Sequence, residues 1–187
     1  SVMENQANLL HDPDTPAYGP ENAKVAVIEF FDYQCVFCSR FAPELEKVMK
    51  AQPDVRYHFK EWPIFGGRWE ASFQAAQQGL TVWQKKGPQA YVTYHNAIYA
   101  TGHNEGKLTA EDIHGAASKA GLTTPAPGDH TASLEKNSNL AEALGLTGTP
   151  GIIVMPVSGA TPDTITVFPE AVTAERLQAA ILKATAR

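Results

Sequence analysis

The residues that could do chemistry are Cys35 and Cys38, the only two cysteines of the 187-residue chain. They follow the short β-branched and aromatic run from Val25 to Phe31, which is typical of a buried strand. From Val36 onward, apolar residues recur at helical spacing. The two cysteines therefore lie at a strand-to-helix junction, where a spacing of three brings both sulfurs to one face of the first helical turn, close enough to bridge.

The first turn of a helix favours a thiolate over a thiol, because its N–H groups lack intrahelical partners and its macrodipole is positive there. We therefore expect Cys35 to be an exposed nucleophile with a lowered pKa. Cys38 should lie deeper and act as the resolving thiol. In this interpretation Cys35 attacks a substrate disulfide and Cys38 then displaces the substrate.

Other uses of the pair are a structural disulfide, half of a zinc site and a soft-metal site. A disulfide that closes so short a loop removes little entropy from the unfolded chain. A zinc site needs further ligands, and the six histidines show no metal-ligand spacing. Two thiolates can hold a soft ion such as Cu(I), so a copper-binding or chaperone-like module is the alternative function.

Hydrophobic periodicity places the pair in an α/β chain. The alternating run from Val55 to Glu61 predicts a second strand, parallel to the first and joined to it through a right-handed crossover. The elements predicted after it are helices at about 69–86, 90–100, 110–120 and 131–144, a linker at 125–129, a hairpin of strands 151–155 and 164–168, and a last helix capped by Thr173.

Composition and charge bound the function. Apolar residues make up 43% of the chain and charged residues 19%, as in ordinary globular proteins. The net charge of −5 argues against non-specific binding to nucleic acid, and no apolar run approaches membrane-spanning length. Residues 1–22 are rich in turn signals, so we expect a frayed terminus; the alternative is that 5–10 end an upstream helix used for oligomerisation.

Two further motifs carry a family resemblance. The run EFF at 29–31 followed by CVFC at 35–38 resembles the thioredoxin-fold thiol–disulfide oxidoreductases of the DsbA type, as does GTPG at 148–151 before a strand. The resemblance implies a thioredoxin fold with a helical insertion between its two halves. Its domains would be an N-terminal extension (1–22), a thioredoxin-like domain (23–67 and 146–187) and an inserted helical domain (68–145).

The resemblance also implies roles for three residues outside the cysteine pair. Pro150 would be a cis-proline packed against the disulfide, and the backbone of Thr149 would pair with an extended substrate segment. Glu29 would be a buried acid that accepts the Cys38 proton. Because a carboxylate on an apolar strand is costly unless it is paired or protonated, we expect Lys60 on the neighbouring predicted strand to be its partner. The alternatives are an ordinary turn around Pro150 and a Glu29 that faces solvent at a strand edge.

The function implied by the resemblance is a periplasmic enzyme that acts on unfolded or misoxidised proteins, with its own disulfide as the redox group and no cofactor. A membrane partner of the DsbB type would recycle an oxidant, and one of the DsbD type would recycle an isomerase or reductase, which is usually a dimer. Thr149 resembles the DsbC-like and DsbG-like isomerases, whereas the helical insertion favours an oxidant. Phe37 stands where strong oxidants often have a histidine, so we expect the Cys35 pKa to be lowered less than in those proteins.

Overall fold

The computed structural model describes residues 1–123 and 128–186, so part of the predicted linker, 125–127, lies outside the described residues. The strands are β1 (Ala17–Tyr18), β2 (Val25–Phe31), β3 (Arg56–Glu61), β4 (Gly151–Pro156) and β5 (Thr166–Phe168). The α-helices are α1 (Gln6–Leu10), α2 (Val36–Ala51), α3 (Glu70–Lys86), α4 (Pro88–Ala100), α5 (Ala110–Lys119), α6 (Thr131–Ala143) and α7 (Ala174–Thr185).

The five strands form one sheet in the order β1-β3-β2-β4-β5. β2 and β3 are parallel, with α2 as the connection between them, and the other three pairs are antiparallel. The predicted parallel pair and the predicted β4–β5 hairpin are therefore confirmed. Helix α2, which carries the cysteines, begins just after the central strand β2. The cysteines therefore lie beyond the C-terminal end of the middle strand of the sheet.

Helices cover the sheet on both faces, which is why every residue of β2 is buried. Side chains of α2, α3, α4, α5 and α7 share a core with Val27 and Phe31 on one face. Side chains of α1 and α6 share a core with Ile28 and Phe30 on the other. The helices of the predicted insertion, 68–145, thus divide between the two faces, with α6 opposite α3, α4 and α5.

The N-terminal segment is part of the fold, and the expectation of a frayed terminus is wrong. Leu9 is fully buried and Leu10 is 8% exposed, and β1 pairs with β3. The segment also supplies the acceptors for a buried ammonium group, because Lys60 Nζ donates to Asn8 O at 2.8 Å and to Thr15 Oγ1 at 2.6 Å. Burial of a lysine without such acceptors would be costly, so this segment and the sheet stabilise each other.

Gly79 in the middle of α3 is explained by what it packs against. A Cβ at this position would lie 2.6 Å from Glu61 Oε2 and 3.2 Å from the Tyr94 ring. We expect Gly79→Ala to lower the free energy of unfolding by about 1–3 kcal/mol, because overpacking outweighs the gain in helix propensity. Denaturant unfolding measures the change.

The matched control is Gly115→Ala in α5, where a Cβ would meet nothing within 4 Å. There the gain in helix propensity acts alone, and we expect stability to rise by up to about 1 kcal/mol. Equal stabilisation by both substitutions would contradict the packing argument for Gly79.

Candidate active site

The loop between β2 and α2 is held by the buried carboxylate of Asp32. Its Oδ1 accepts the Gln34 N–H at 2.8 Å, and its Oδ2 accepts the Phe65 N–H from the segment after β3 at 3.0 Å. The Cys35 N–H donates to Asp32 O at 3.0 Å. Cys35 is consequently fixed as the N-cap residue of α2, with its sulfur at the positive end of the helix.

Both cysteines are free thiols, and both are buried. Cys35 is 3% exposed and Cys38 is fully buried. The predicted order of depth is correct, but the prediction of an exposed Cys35 is wrong. The segment before β4 covers its sulfur, which lies 3.4 Å from Thr149 O. The neighbouring side chain that does face solvent is Phe37, at 53% exposure.

The surroundings of Cys35 stabilise a thiolate. The Cys38 thiol, as a hydrogen-bond donor, contributes most to lowering the Cys35 pKa to about 6; burial opposes this change, and the Thr149 hydroxyl and the backbone N–H groups of Cys38 and Phe37 support it. Burial raises the Cys38 pKa well above its usual value, and the hydrogen bond to Cys35 and the charge of Glu29 add to that effect. These shifts favour the thiolate of Cys35 and the protonated thiol of Cys38 at neutral pH.

The segment before β4 contributes a second wall to the site. The peptide bond between Thr149 and Pro150 is cis, in agreement with the expectation from the resemblance. The Thr149 hydroxyl is buried and has no hydrogen-bond partner within the described part of the chain. It is therefore free to donate to Cys35 once that sulfur is ionised.

Glu29 is 3% exposed, which rules out the solvent-facing alternative. Burial raises its pKa well above the usual range, and the charges of Cys35 and Glu61 raise it further. Its own charge acts in turn on the Cys38 sulfur. Glu29 therefore favours its protonated form.

The prediction that Lys60 pairs with Glu29 is wrong, and the strand register gives the reason. Glu29 is opposite Phe59 in the parallel pair, and Phe30 is opposite Lys60. Since side chains alternate along a strand, Glu29 and Lys60 point to opposite faces of the sheet. Lys60 instead binds the N-terminal segment on the face away from the cysteines.

A second buried acid, Glu61, was not singled out from the sequence. Its Oε2 accepts the hydroxyl of Tyr33 at 2.7 Å and that of Tyr91 at 2.5 Å. Burial raises its pKa to about 8, although the two tyrosine hydrogen bonds lower it. Alternation along β3 could have placed Glu61 on the same face as Glu29, but its tyrosine partners come from distant parts of the chain.

An aromatic layer connects Glu61 with the deeper cysteine. The Tyr99 ring lies 5.4 Å from that of Tyr33 and 4.9 Å from that of His95. Burial raises the Tyr99 pKa well above its usual value, and the charge of Cys38 is the next largest cause. Cys38 thus faces an interior that contains ionisable side chains.

Across residues 1–123 and 128–186, no group of three or more His, Cys, Asp or Glu side chains is placed to hold a metal ion. No helix in these two ranges is both long and apolar enough to cross a membrane.

Comparison with known proteins agrees with this geometry. Residues 11–181 match the family model described as thioredoxin. BcfH from Salmonella enterica Typhimurium is 38% identical, with a TM-score of 0.85 over 99% of this chain and 79% of its own. A thioredoxin-like oxidoreductase from Silicibacter pomeroyi is 32% identical, with a TM-score of 0.77 over 96% and 97%. A periplasmic thioredoxin-like protein from Salmonella enterica serovar Typhimurium is 28% identical, with a TM-score of 0.79 over 96% and 95%. No curated protein matches.

A thioredoxin fold with a CxxC pair at a helix N-terminus, opposite a cis-proline, defines the class of thiol–disulfide oxidoreductases. The chain belongs to the thioredoxin family. The predicted thioredoxin fold and the resemblance to DsbA-like thiol–disulfide oxidoreductases are confirmed.

Proposed function

We propose that this protein is a periplasmic thiol–disulfide oxidoreductase that forms or rearranges disulfides in exported proteins through Cys35 and Cys38. One observation carries the proposal: Cys35 and Cys38 lie together at the N-terminus of α2, where hydrogen bonds lower the Cys35 pKa and burial raises the Cys38 pKa. The pair itself is the redox group, and no separate cofactor takes part. A thiolate near pH 7 with a proton-bearing neighbour is what stepwise disulfide exchange requires.

In the reducing direction, the Cys35 thiolate attacks a substrate disulfide, forms a mixed disulfide and releases one substrate thiolate, which takes up a proton. Cys38 then loses its proton and attacks Cys35 Sγ. The second substrate sulfur leaves, and the Cys35–Cys38 disulfide remains. Glu29 is the proposed acceptor of the Cys38 proton when it is in its ionised form, because its raised pKa makes that carboxylate a stronger base than an ordinary glutamate. Oxidation of a substrate dithiol is the same sequence reversed, with two electrons passing to the protein.

The backbone of Thr149 is the proposed contact for the substrate chain. Its carbonyl already accepts a hydrogen bond from the Cys35 thiol, so an extended peptide placed along this segment would bring its own sulfur to Cys35. Unfolded or misoxidised proteins present such extended segments. This requirement supports the choice of substrate class.

The proposal also includes a cellular location, a membrane redox partner and a homodimer. A periplasmic relative supports the location, and a membrane partner of the DsbB or DsbD type would restore the working redox state. A homodimer through the N-terminal segment would use its exposed part, where Met3 is 39% exposed, since Leu9 and Leu10 are buried in this chain's own core. Light scattering of the purified protein tests the dimer.

The test of the proposed function has two arms. Equilibration of the Cys35–Cys38 pair with reduced and oxidised glutathione measures whether the pair exchanges and how oxidising its disulfide is. Refolding of scrambled ribonuclease, beside oxidation of the reduced form, separates an isomerase from an oxidant. A pair that does not equilibrate with glutathione would overturn the proposal. Tight stoichiometric copper in native mass spectra, lost in Cys35→Ser, would favour the copper-binding alternative.

A further inference from the structure

The loop between α4 and α5 is bound to the residue that precedes the nucleophile. Gln34 is fully buried. Its backbone oxygen accepts the Glu105 N–H at 2.9 Å, and its side-chain oxygen accepts the N–H groups of Gly106 at 2.8 Å and Leu108 at 3.2 Å. Gln34 Nε2 also donates to Ser72 Oγ in α3 at 3.2 Å. The position of this loop relative to Cys35 is therefore fixed by at least three hydrogen bonds.

Glu105 stands out in this loop. Among the described residues it is the one non-glycine residue with a positive φ, at 52°. This conformation is unfavourable for a residue with a Cβ, so the surrounding contacts must hold it. The Glu105 carboxylate lies at the start of α2, where its Oε2 accepts the Val36 N–H at 3.0 Å.

Two anionic groups thus share the N-terminus of α2. The Cys35 sulfur accepts hydrogen bonds from the backbone N–H groups of Phe37 and Cys38. The Glu105 carboxylate accepts a hydrogen bond from the N–H of Val36, the first residue of the helix. Each acceptor satisfies N–H groups that have no partner within the helix, but the two negative charges repel each other.

We propose that Glu105 is a positioning residue that sets the redox poise of the Cys35–Cys38 pair from outside the CxxC motif. Its hydrogen bond holds the first turn of α2 in place, while its charge opposes the Cys35 thiolate and so makes the disulfide less oxidising than the helix end alone would. This inference rests on the proposed function for its biological meaning. Its physical content concerns only the ionisation of Cys35.

The other ionisable groups near Cys35 differ from Glu105 in burial. Cys38 on α2, Glu29 on β2 and Asp32 in the loop after β2 are all buried. The Glu105 side chain is exposed, and its charge also acts on Asp32. Salt screens an exposed charge much more than a buried one, so the contribution of Glu105 should decrease as ionic strength rises.

The decisive variant is Glu105→Gln, because its amide oxygen can still accept the Val36 N–H while the charge is lost. We expect the midpoint of the Cys35 thiolate titration to fall by about half a unit to one unit at low salt. We expect high salt to remove most of that difference. Ultraviolet absorbance of the reduced minus the oxidised protein measures the midpoint without any requirement for turnover.

The same variant should shift the glutathione equilibrium. In this reaction the protein disulfide and two glutathione thiols give two protein thiols and one glutathione disulfide. A lower Cys35 pKa stabilises the reduced protein, so the equilibrium constant at neutral pH should rise about three- to tenfold. The charge-matched control is Glu111→Gln in the first turn of α5, an exposed residue, which should change neither measurement.

A titration midpoint for Glu105→Gln equal to that of the wild type at low salt would overturn the inference. So would a shift in Glu105→Ala without one in Glu105→Gln, because the hydrogen bond alone would then explain the effect. A shifted titration in a protein that does not equilibrate with glutathione would refute the proposed function, but it would still show that the charge of Glu105 acts on the ionisation of Cys35.

Discussion

Cys35→Ser is expected to reduce the rate of thiol–disulfide exchange at least about a thousandfold, because a serine hydroxyl is not ionised near neutral pH and cannot replace the thiolate. The hydrogen bonds at the start of α2 stabilise a negative charge on the Cys35 sulfur, and a neutral serine hydroxyl gains nothing from this stabilisation. Reduction of a model disulfide by the prereduced protein measures the rate. Ser39→Ala, in the same helical turn, is the control and should retain the wild-type rate.

Cys38→Ser should fail at a different step. The variant keeps the nucleophile, so it forms the mixed disulfide but cannot resolve it, and a covalent complex with a disulfide-bonded substrate accumulates. Because the chain has only two cysteines, any such complex must pass through Cys35. Mass spectrometry under non-reducing conditions detects it. Full turnover by either cysteine variant would contradict the assigned roles.

Glu61→Gln is expected to stabilise the protein above neutral pH. Burial raises the Glu61 pKa to about 8, so the folded state holds a proton that the unfolded state releases at lower pH. Stability should therefore fall as pH rises from about 4.5 to about 8, with Glu61 contributing at most about 1.4 kcal/mol per pH unit. Glutamine retains an acceptor for Tyr33 and Tyr91 and removes this dependence.

The measurement is denaturant unfolding of the oxidised form, in which the cysteines do not titrate. The free energy of unfolding of the variant minus that of the wild type should increase by about 2–4 kcal/mol between about pH 5 and about pH 8. Glu142→Gln on α6, an exposed residue, serves as the charge-matched control and should follow the wild type. Parallel pH profiles for wild type and Glu61→Gln would contradict the raised pKa.

Local patterns in the sequence were sufficient to predict most elements and the position of the cysteine pair. The run from Val25 to Phe31 is apolar along its whole length because both faces of β2 are covered. The capping box of Thr109 and Asp112 starts α5 as predicted, since both of its hydrogen bonds are local. These signals depend on neighbouring residues only, so one sequence reveals them.

What the sequence did not reveal depends on contacts between distant residues. The exposure of Cys35 was overestimated because the segment that covers it comes from Thr149, 114 positions later. The Val36 N–H at the start of α2, which donates to Glu105, is 69 positions away from it, and no local pattern indicates this hydrogen bond. Lys60 was assigned to Glu29 from strand adjacency alone, whereas side-chain alternation decides which face each residue occupies.

The proposed exchange depends on a Cys35 thiolate that the N-terminus of α2 and the Cys38 thiol stabilise near neutral pH. Titration of the reduced protein by ultraviolet absorbance, with the oxidised protein as the blank, tests it most directly. We expect a midpoint for Cys35 near 6 and no second thiolate until well above the usual cysteine range. A single midpoint for both sulfurs at about 8.5, the value of free cysteine, would contradict it.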